Sequence, residues 1–171
     1  IYIGAAQAMP DDDERRLVID IGGGSTECII GVNDEPVRRE SLQMGCVSIT
    51  REFFGDGQVR RQSMRAARIH CAELIAAQVR AFRHLGWSYA VGTSGTAKSL
   101  SQIALAASGS SRITAETLAR IETTLIATGE VDRIDIPGLK PDRRPVIAGG
   151  LAVMRFLPPW SAARSFGACG M

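Results

Sequence analysis

Hydrophobic and polar positions divide the chain into a strand-rich first part and a helix-rich remainder. "LVIDI" (residues 17–21) is a β-branched apolar run and predicts a buried strand. Gly22 to Gly24 turn the chain, and "TECIIGV" predicts a second strand. Asn33-Asp34-Glu35-Pro36 is a turn, and "VRRESLQM" predicts a third strand, which completes a β-meander with the glycine turn at one end. "CVSITREFFGDG" predicts a short helix stopped by Gly55 and Gly57. From Arg60 to Leu85 the period becomes helical. Cys71, Leu74, Ile75, Gln78, Val79, Phe82 and Leu85 share one face, arginines lie mainly opposite, and Gly86 ends the pattern.

"SYAVGTSGTAKSLSQIALAA" reads as strand, loop and helix, and Thr114 caps a further helix striped by Leu118, Ile121, Leu125 and Ile126. "IDIPGLKPDRRP" reads as a proline-rich loop, and "VIAGGLAVM" as an apolar helix or strand broken by Gly149-Gly150. At the start, "IYIGAAQAM" is a short apolar element, helix end or strand, followed by a polar loop whose Asp11 to Asp13 read as solvated. A meander followed by mixed helices and strands predicts an α/β domain: a mixed sheet flanked by helices, in one unit over residues 1–171.

Composition narrows the function classes. Hydrophobic residues make up 45% of the 171, enough for a real core. The net charge of +2 is too mild to argue for nucleic acid, and no run is long enough for a membrane span. The four cysteines, Cys28, Cys46, Cys71 and Cys169, have no C-x-x-C spacing and read as reduced thiols of a cytoplasmic protein. His70 and His84 read as structural or exposed, and zinc is not expected.

Candidate chemistry sits in three glycine-containing segments: "GGGST" (residues 22–26), "GTSGT" (92–96) and "AGG" (148–150). Glycines let a backbone approach an anion and turn N–H groups toward it. Ser25, Thr26, Thr93, Ser94 and Thr96 add hydroxyl donors, and the second loop opens a helix, whose dipole favours phosphate. Neither loop fits a dinucleotide fingerprint, a Walker A loop or a nucleophile elbow. Asp20, at the end of an apolar strand, either holds Mg²⁺ through water or caps the turn; Glu27 either positions water or shares the metal. Lys98 either reaches a phosphate or faces solvent.

"LVIDIGGGSTE", "SLQMGCVSITREFF", "GTSGTAKSL" and "RRPVIAGGLAVM", in this order, resemble the exopolyphosphatase / guanosine pentaphosphate phosphohydrolase family over about residues 1–154. The resemblance implies a ribonuclease H-like lobe of the actin-like ATPase superfamily. By the same match Gly22, Gly23, Gly24, Ser25 and Thr26 cradle phosphates, while Asp20 and Glu27 contact Mg²⁺ or the attacking water. Thr93, Ser94, Gly95 and Thr96, together with Gly149 and Gly150, line the cleft. The implied substrates are polyphosphate or guanosine pentaphosphate, cut at a terminal phosphoanhydride bond. Family members resemble a two-lobed clamp whose N-terminal lobe carries another phosphate motif and a glutamate general base. This chain is expected to be the second lobe alone, inactive by itself, with residues from about 155 onward atypical of the family. A lobe cut from a clamp exposes apolar surface, so a homodimer is one expected state. The alternatives are a non-catalytic anion-binding module, or another ATPase or kinase of the superfamily.

Overall fold

The computed structural model describes residues 2–6 and 13–156, and the backbone of residues 165–168. A short helix α1 (Tyr2–Ala6) precedes the meander β1 (Arg15–Ile21), β2 (Thr26–Val32) and β3 (Glu35–Leu42). Helices α2 (Cys46–Phe53) and α3 (Arg61–Leu85) follow, then β4 (Tyr89–Gly92), α4 (Gly95–Ser108), α5 (Ala115–Thr128), α6 (Ile147–Met154) and β5 (Ser165–Ala168). The sheet order is β3-β2-β1-β4-β5, with β1–β2 and β2–β3 antiparallel and β4 parallel to both β1 and β5. The predicted meander and helices therefore take their expected places. Asp11 and Asp12, the end of "IYIGAAQAM" and Cys169 lie outside the described residues.

Side-chain alternation divides the sheet into two unequal faces. Leu17, Ile19, Ile21, Cys28 and Ile30 enter the main core with α2 to α6. Val18 and Ile29, on the other face, form a small cluster with Tyr2, Ala5 and Ala6 of α1. The α3 stripe is longer than its sequence suggested, because Met64 and Ala67 are also buried. Gly86, at φ +66°, closes that helix. Thr114 caps α5 by accepting a hydrogen bond from the Thr117 N–H at 3.1 Å.

Two sequence expectations are corrected. The proline-rich loop (residues 134–145) ends in a short 3-10 turn, Pro141–Val146, and another, Val131–Arg133, precedes it. The segment around Gly149-Gly150 is neither a strand nor broken: it is the continuous helix α6, and all eight of its residues are buried. A helix apolar on every side belongs in an interior, and tertiary packing overrides glycine's poor propensity. The glycines allow the close approach. A methyl group at Gly149 would lie 2.5 Å from the Cys46 carbonyl oxygen and 2.7 Å from the Thr50 amide nitrogen. One at Gly150 would lie 2.6 Å from Thr96 Cγ2. The helix is thereby wedged against both α2 and the first turn of α4.

Cys28, Cys46 and Cys71 are free and buried. Burial, helped by Glu27 and Glu40, pushes the Cys28 thiol up from 9.0 to about 12, and burial with Glu52 nearby does the same for Cys71.

Two outcomes are expected. Gly149→Ala forces a methyl against backbone that cannot step aside, so urea unfolding should show a loss of about 1–3 kcal/mol or more. The buried thiols stay protonated in the fold but ionise in the unfolded chain. Their contribution to stability is complete below about pH 9 and declines as pH rises toward about 12. Urea midpoints at about pH 8 and about pH 10 check this sign.

Candidate functional site

The site begins where β1 ends. Gly22 to Ser25 form the β1–β2 connection, closed by the Gly22 N–H on the Ser25 carbonyl at 2.9 Å. The N-terminus of α2 abuts this loop. The Cys46 N–H donates to the Gly22 carbonyl at 2.9 Å, and those of Val47 and Ser48 donate to the Gly23 carbonyl at 2.9 and 3.0 Å. The first amides of α2, which have no partner within the helix, are thus satisfied by the loop.

These bonds orient the loop. In a trans peptide the C=O and the following N–H point in opposite directions, and the described chain has no cis peptide. With the Gly22 and Gly23 carbonyls drawn toward α2, the N–H groups of Gly23 and Gly24 point away from it. Both residues are exposed, and neither amide has a backbone partner among the described residues. Gly45, before α2, makes the contact possible: a methyl group there would lie 2.3 Å from the Gly23 oxygen and 2.5 Å from the Gly24 nitrogen. Sequence reasoning did not single out Gly45. Its signal was a glycine at the N-cap of a predicted helix.

The second loop lies beside the first, because β1 and β4 are parallel neighbours, about 4.8 Å apart by sheet geometry. Connections that diverge from parallel strand ends in this way form the crevice where open α/β sheets bind ligands. The Thr93 N–H donates to the Ile19 carbonyl at 3.0 Å, and Ser94 caps α4 by accepting from the Ala97 N–H at 3.2 Å. The amides of Gly95 and Thr96, the first two of α4, have no backbone partner among the described residues. Arg143, which the sequence reading also passed over, lays its guanidinium over Gly95, where an added methyl would meet Nη1 at 2.7 Å.

Between the loops runs a polar row. Register places Asp20 opposite Glu27, and Glu27 opposite Ser41, on adjacent antiparallel strands. Directly opposite residues share a face. One place past the Ile19–Gly92 pair, Thr93 extends the row beside Asp20. The Thr93 hydroxyl is buried without a hydrogen-bond partner among the described residues. Glu27 Oε1 accepts from Ser25 Oγ at 2.7 Å and from Ser41 Oγ at 3.0 Å. Asp20 makes no side-chain hydrogen bond or ion pair among the described residues.

Several residues expected to hold phosphate are placed otherwise. Thr26 lies on the core face, fully buried, with its hydroxyl donated to the Met44 carbonyl. Thr96 is buried against Gly150. Gly149 and Gly150 lie inside α6 and face neighbouring helices. Backbone periodicity turns Thr26 and Thr96 of the glycine-hydroxyl loops into the core, and Gly149 and Gly150 are claimed by helix packing. Ser25 reaches the site, but its single donor hydrogen is spent on Glu27. Lys98 is exposed on α4.

Among the described residues there is no group of three or more His, Cys, Asp or Glu side chains able to hold a metal. The Asp20–Glu27 pair still fits Mg²⁺, which usually binds through one or two carboxylates and completes its shell with water and substrate phosphate.

The strand order and the paired strand-end loops define an α/β protein, a mixed sheet flanked by helices with a crevice at its strand ends. The Ppx/GppA phosphatase family profile matches residues 1–157, and the chain belongs to that family. A Haemophilus influenzae protein provisionally named an exopolyphosphatase is 42% identical over 156 residues, 90% of this chain and 48% of that protein. The guanosine-5'-triphosphate,3'-diphosphate pyrophosphatase of Aeromonas hydrophila is 38% identical over 154 residues, 90% of this chain and 31% of that enzyme. The chain thus spans half or less of the length of these relatives. Among solved structures, an exopolyphosphatase from Cytophaga hutchinsonii superposes with a TM-score of 0.78 at 21% identity, over 98% of this chain and 57% of that one. The Aquifex aeolicus Ppx/GppA phosphatase, type II variant, gives 0.77 at 17% identity, over 99% and 58%.

A pair of glycine substitutions separates the loop contacts. Gly45→Ala should lower the melting temperature and weaken pyrophosphate binding measured by calorimetry, because its methyl would drive into the Gly23–Gly24 peptide. Gly24→Ala, with nothing within 4 Å of the added methyl, should leave the melting temperature nearly unchanged.

Proposed function

We propose that the chain is the second lobe of a phosphohydrolase that removes terminal phosphoryl groups from polyphosphate or guanosine pentaphosphate. The observation that carries this reading is the row in which Asp20 and Glu27 stand opposite each other beside the outward amides of Gly23 and Gly24. Carboxylates alone repel phosphate, and amides alone bind any anion. Together they suit a phosphoryl group bound with a divalent cation.

Asp20 and Glu27 are the residues to hold Mg²⁺, which would supply charge neutralisation on the phosphoryl oxygens. The Gly23 and Gly24 amides donate to those oxygens and fix the group at the end of β1. The first amides of α4, with Arg143 beside them, take the next phosphate of the chain. Glu27 orients the water for in-line attack. Displacement of this kind depends mainly on positioning and on stabilising charge, so donors fixed in advance supply most of the acceleration. In this reading the other catalytic parts lie in an N-terminal lobe, and the setting is a bacterial cytoplasm.

The test is phosphate release from long-chain polyphosphate and from guanosine pentaphosphate with Mg²⁺. The chain is assayed alone and joined to the upstream part of the Haemophilus influenzae relative. Release only from the joined protein, lost about a hundredfold or more in Glu27→Gln, is the expected result. Efficient release from the chain alone overturns the split-site reading. Tight binding without release by the joined protein points to a binding module instead.

A further inference from the structure

We propose that Ser41, on the edge strand β3, is a positioning residue: it holds the Glu27 carboxylate so that Ser25 is free to donate its hydroxyl to a phosphoryl oxygen. The inference rests on the phosphohydrolase reading above and adds a residue to it.

Two serines converge on one oxygen of Glu27. Ser25 Oγ donates to Oε1 at 2.7 Å from the glycine loop, and Ser41 Oγ donates to the same Oε1 at 3.0 Å from the neighbouring strand. Oε2 has no hydrogen bond among the described residues. The two donors are anchored differently. Ser25 sits in the connection between β1 and β2, where it follows the outward amides of Gly23 and Gly24. Ser41 is fixed by sheet register directly opposite Glu27, on a strand outside the glycine loop.

A serine has one hydroxyl hydrogen. When a phosphoryl group enters the loop, Ser25 can serve it only by leaving Glu27. A glutamate has three side-chain torsions, and a carboxylate released from both serines would sample several rotamers. Ser41 prevents this. Its bond keeps Oε1 in place while Oε2 remains available on the row shared with Asp20. The arrangement converts one loop hydroxyl into a substrate donor without loosening the carboxylate that must act on water. The remaining requirement is a hydroxyl at position 41, which threonine also satisfies, and threonine suits a strand.

The test compares Ser41→Ala, Ser41→Thr and Glu27→Gln in the joined protein with inorganic polyphosphate and Mg²⁺, together with crystal structures of the full chain bearing each substitution. Ser41→Ala is expected to lower kcat about tenfold to a hundredfold with KM changed less than about twofold, and Ser41→Thr to restore most of the loss. In the crystal of Ser41→Ala with inorganic pyrophosphate bound in the loop, where Ser25 has turned to the phosphate, the Glu27 carboxylate should leave its position while the glycine loop keeps its own. An unmoved carboxylate, an unchanged kcat, or a threonine variant as impaired as alanine overturns the proposal. If the unsubstituted joined protein releases no phosphate, the phosphohydrolase reading fails separately. Displacement of Glu27 in the Ser41→Ala crystal then still supports Ser41 as its anchor.

Discussion

The hydrogen bonds from the first turn of α2 to the carbonyls of Gly22 and Gly23 govern the rest of the site. A helix N-terminus usually offers its amides and positive dipole end to a ligand. Here that end is spent on the protein's own backbone. The peptide units of the glycine loop are thereby inverted relative to α2, and their amides face outward. The amides left open to a ligand are thus transferred from the helix to the loop, beside the carboxylates of β1 and β2. Gly45 is the steric condition of this transfer, because any side chain there would separate the helix from the loop.

A second constraint acts from behind. Helix α6 is buried on every side and touches α2 through Gly149 and α4 through Gly150. Those two helices begin at the two loops of the crevice. The spacing of the loops is therefore set from beneath by the closeness with which α6 packs. Close-packed interiors resist such changes in volume. The glycines of "AGG" act on the site at one remove, through the helices they admit. Ion pairs reinforce the outer layer: Glu122 on α5 meets Arg68 of α3 at 3.0 Å and Arg155, just past α6, at 2.9 Å.

The meander, the long helix α3, the cap at Thr114 and the polar character of the strand ends were legible in the sequence, because each depends on residues near one another in the chain. Period-two and period-3.6 patterns reflect only local geometry and burial. The pairing of Asp20 with Glu27 was half legible. Both flank a tight connection between adjacent strands, so an antiparallel hairpin brings them together. Ser41, Gly45 and Arg143 were not legible as site residues. Each comes from a different element, and its role exists only once β3, α2 and the segment before α6 are assembled around the loops.

The hydroxyls mark the boundary most clearly. The sequence placed Ser25, Thr26, Thr93, Ser94 and Thr96 in glycine-rich connections, and that setting, with the family resemblance, made all of them candidate phosphate donors. The fold separates them. Thr26 faces the core and bonds Met44, Thr96 packs on Gly150, Ser94 caps α4, and Ser25 turns to Glu27. By itself the sequence determined the fold class, the order of elements and the two strand-end loops, since these follow from local periodicity and turn chemistry. Only the tertiary structure decided which groups face the crevice, because a side chain's direction and a hydroxyl's one hydrogen are claimed by neighbours distant in the chain.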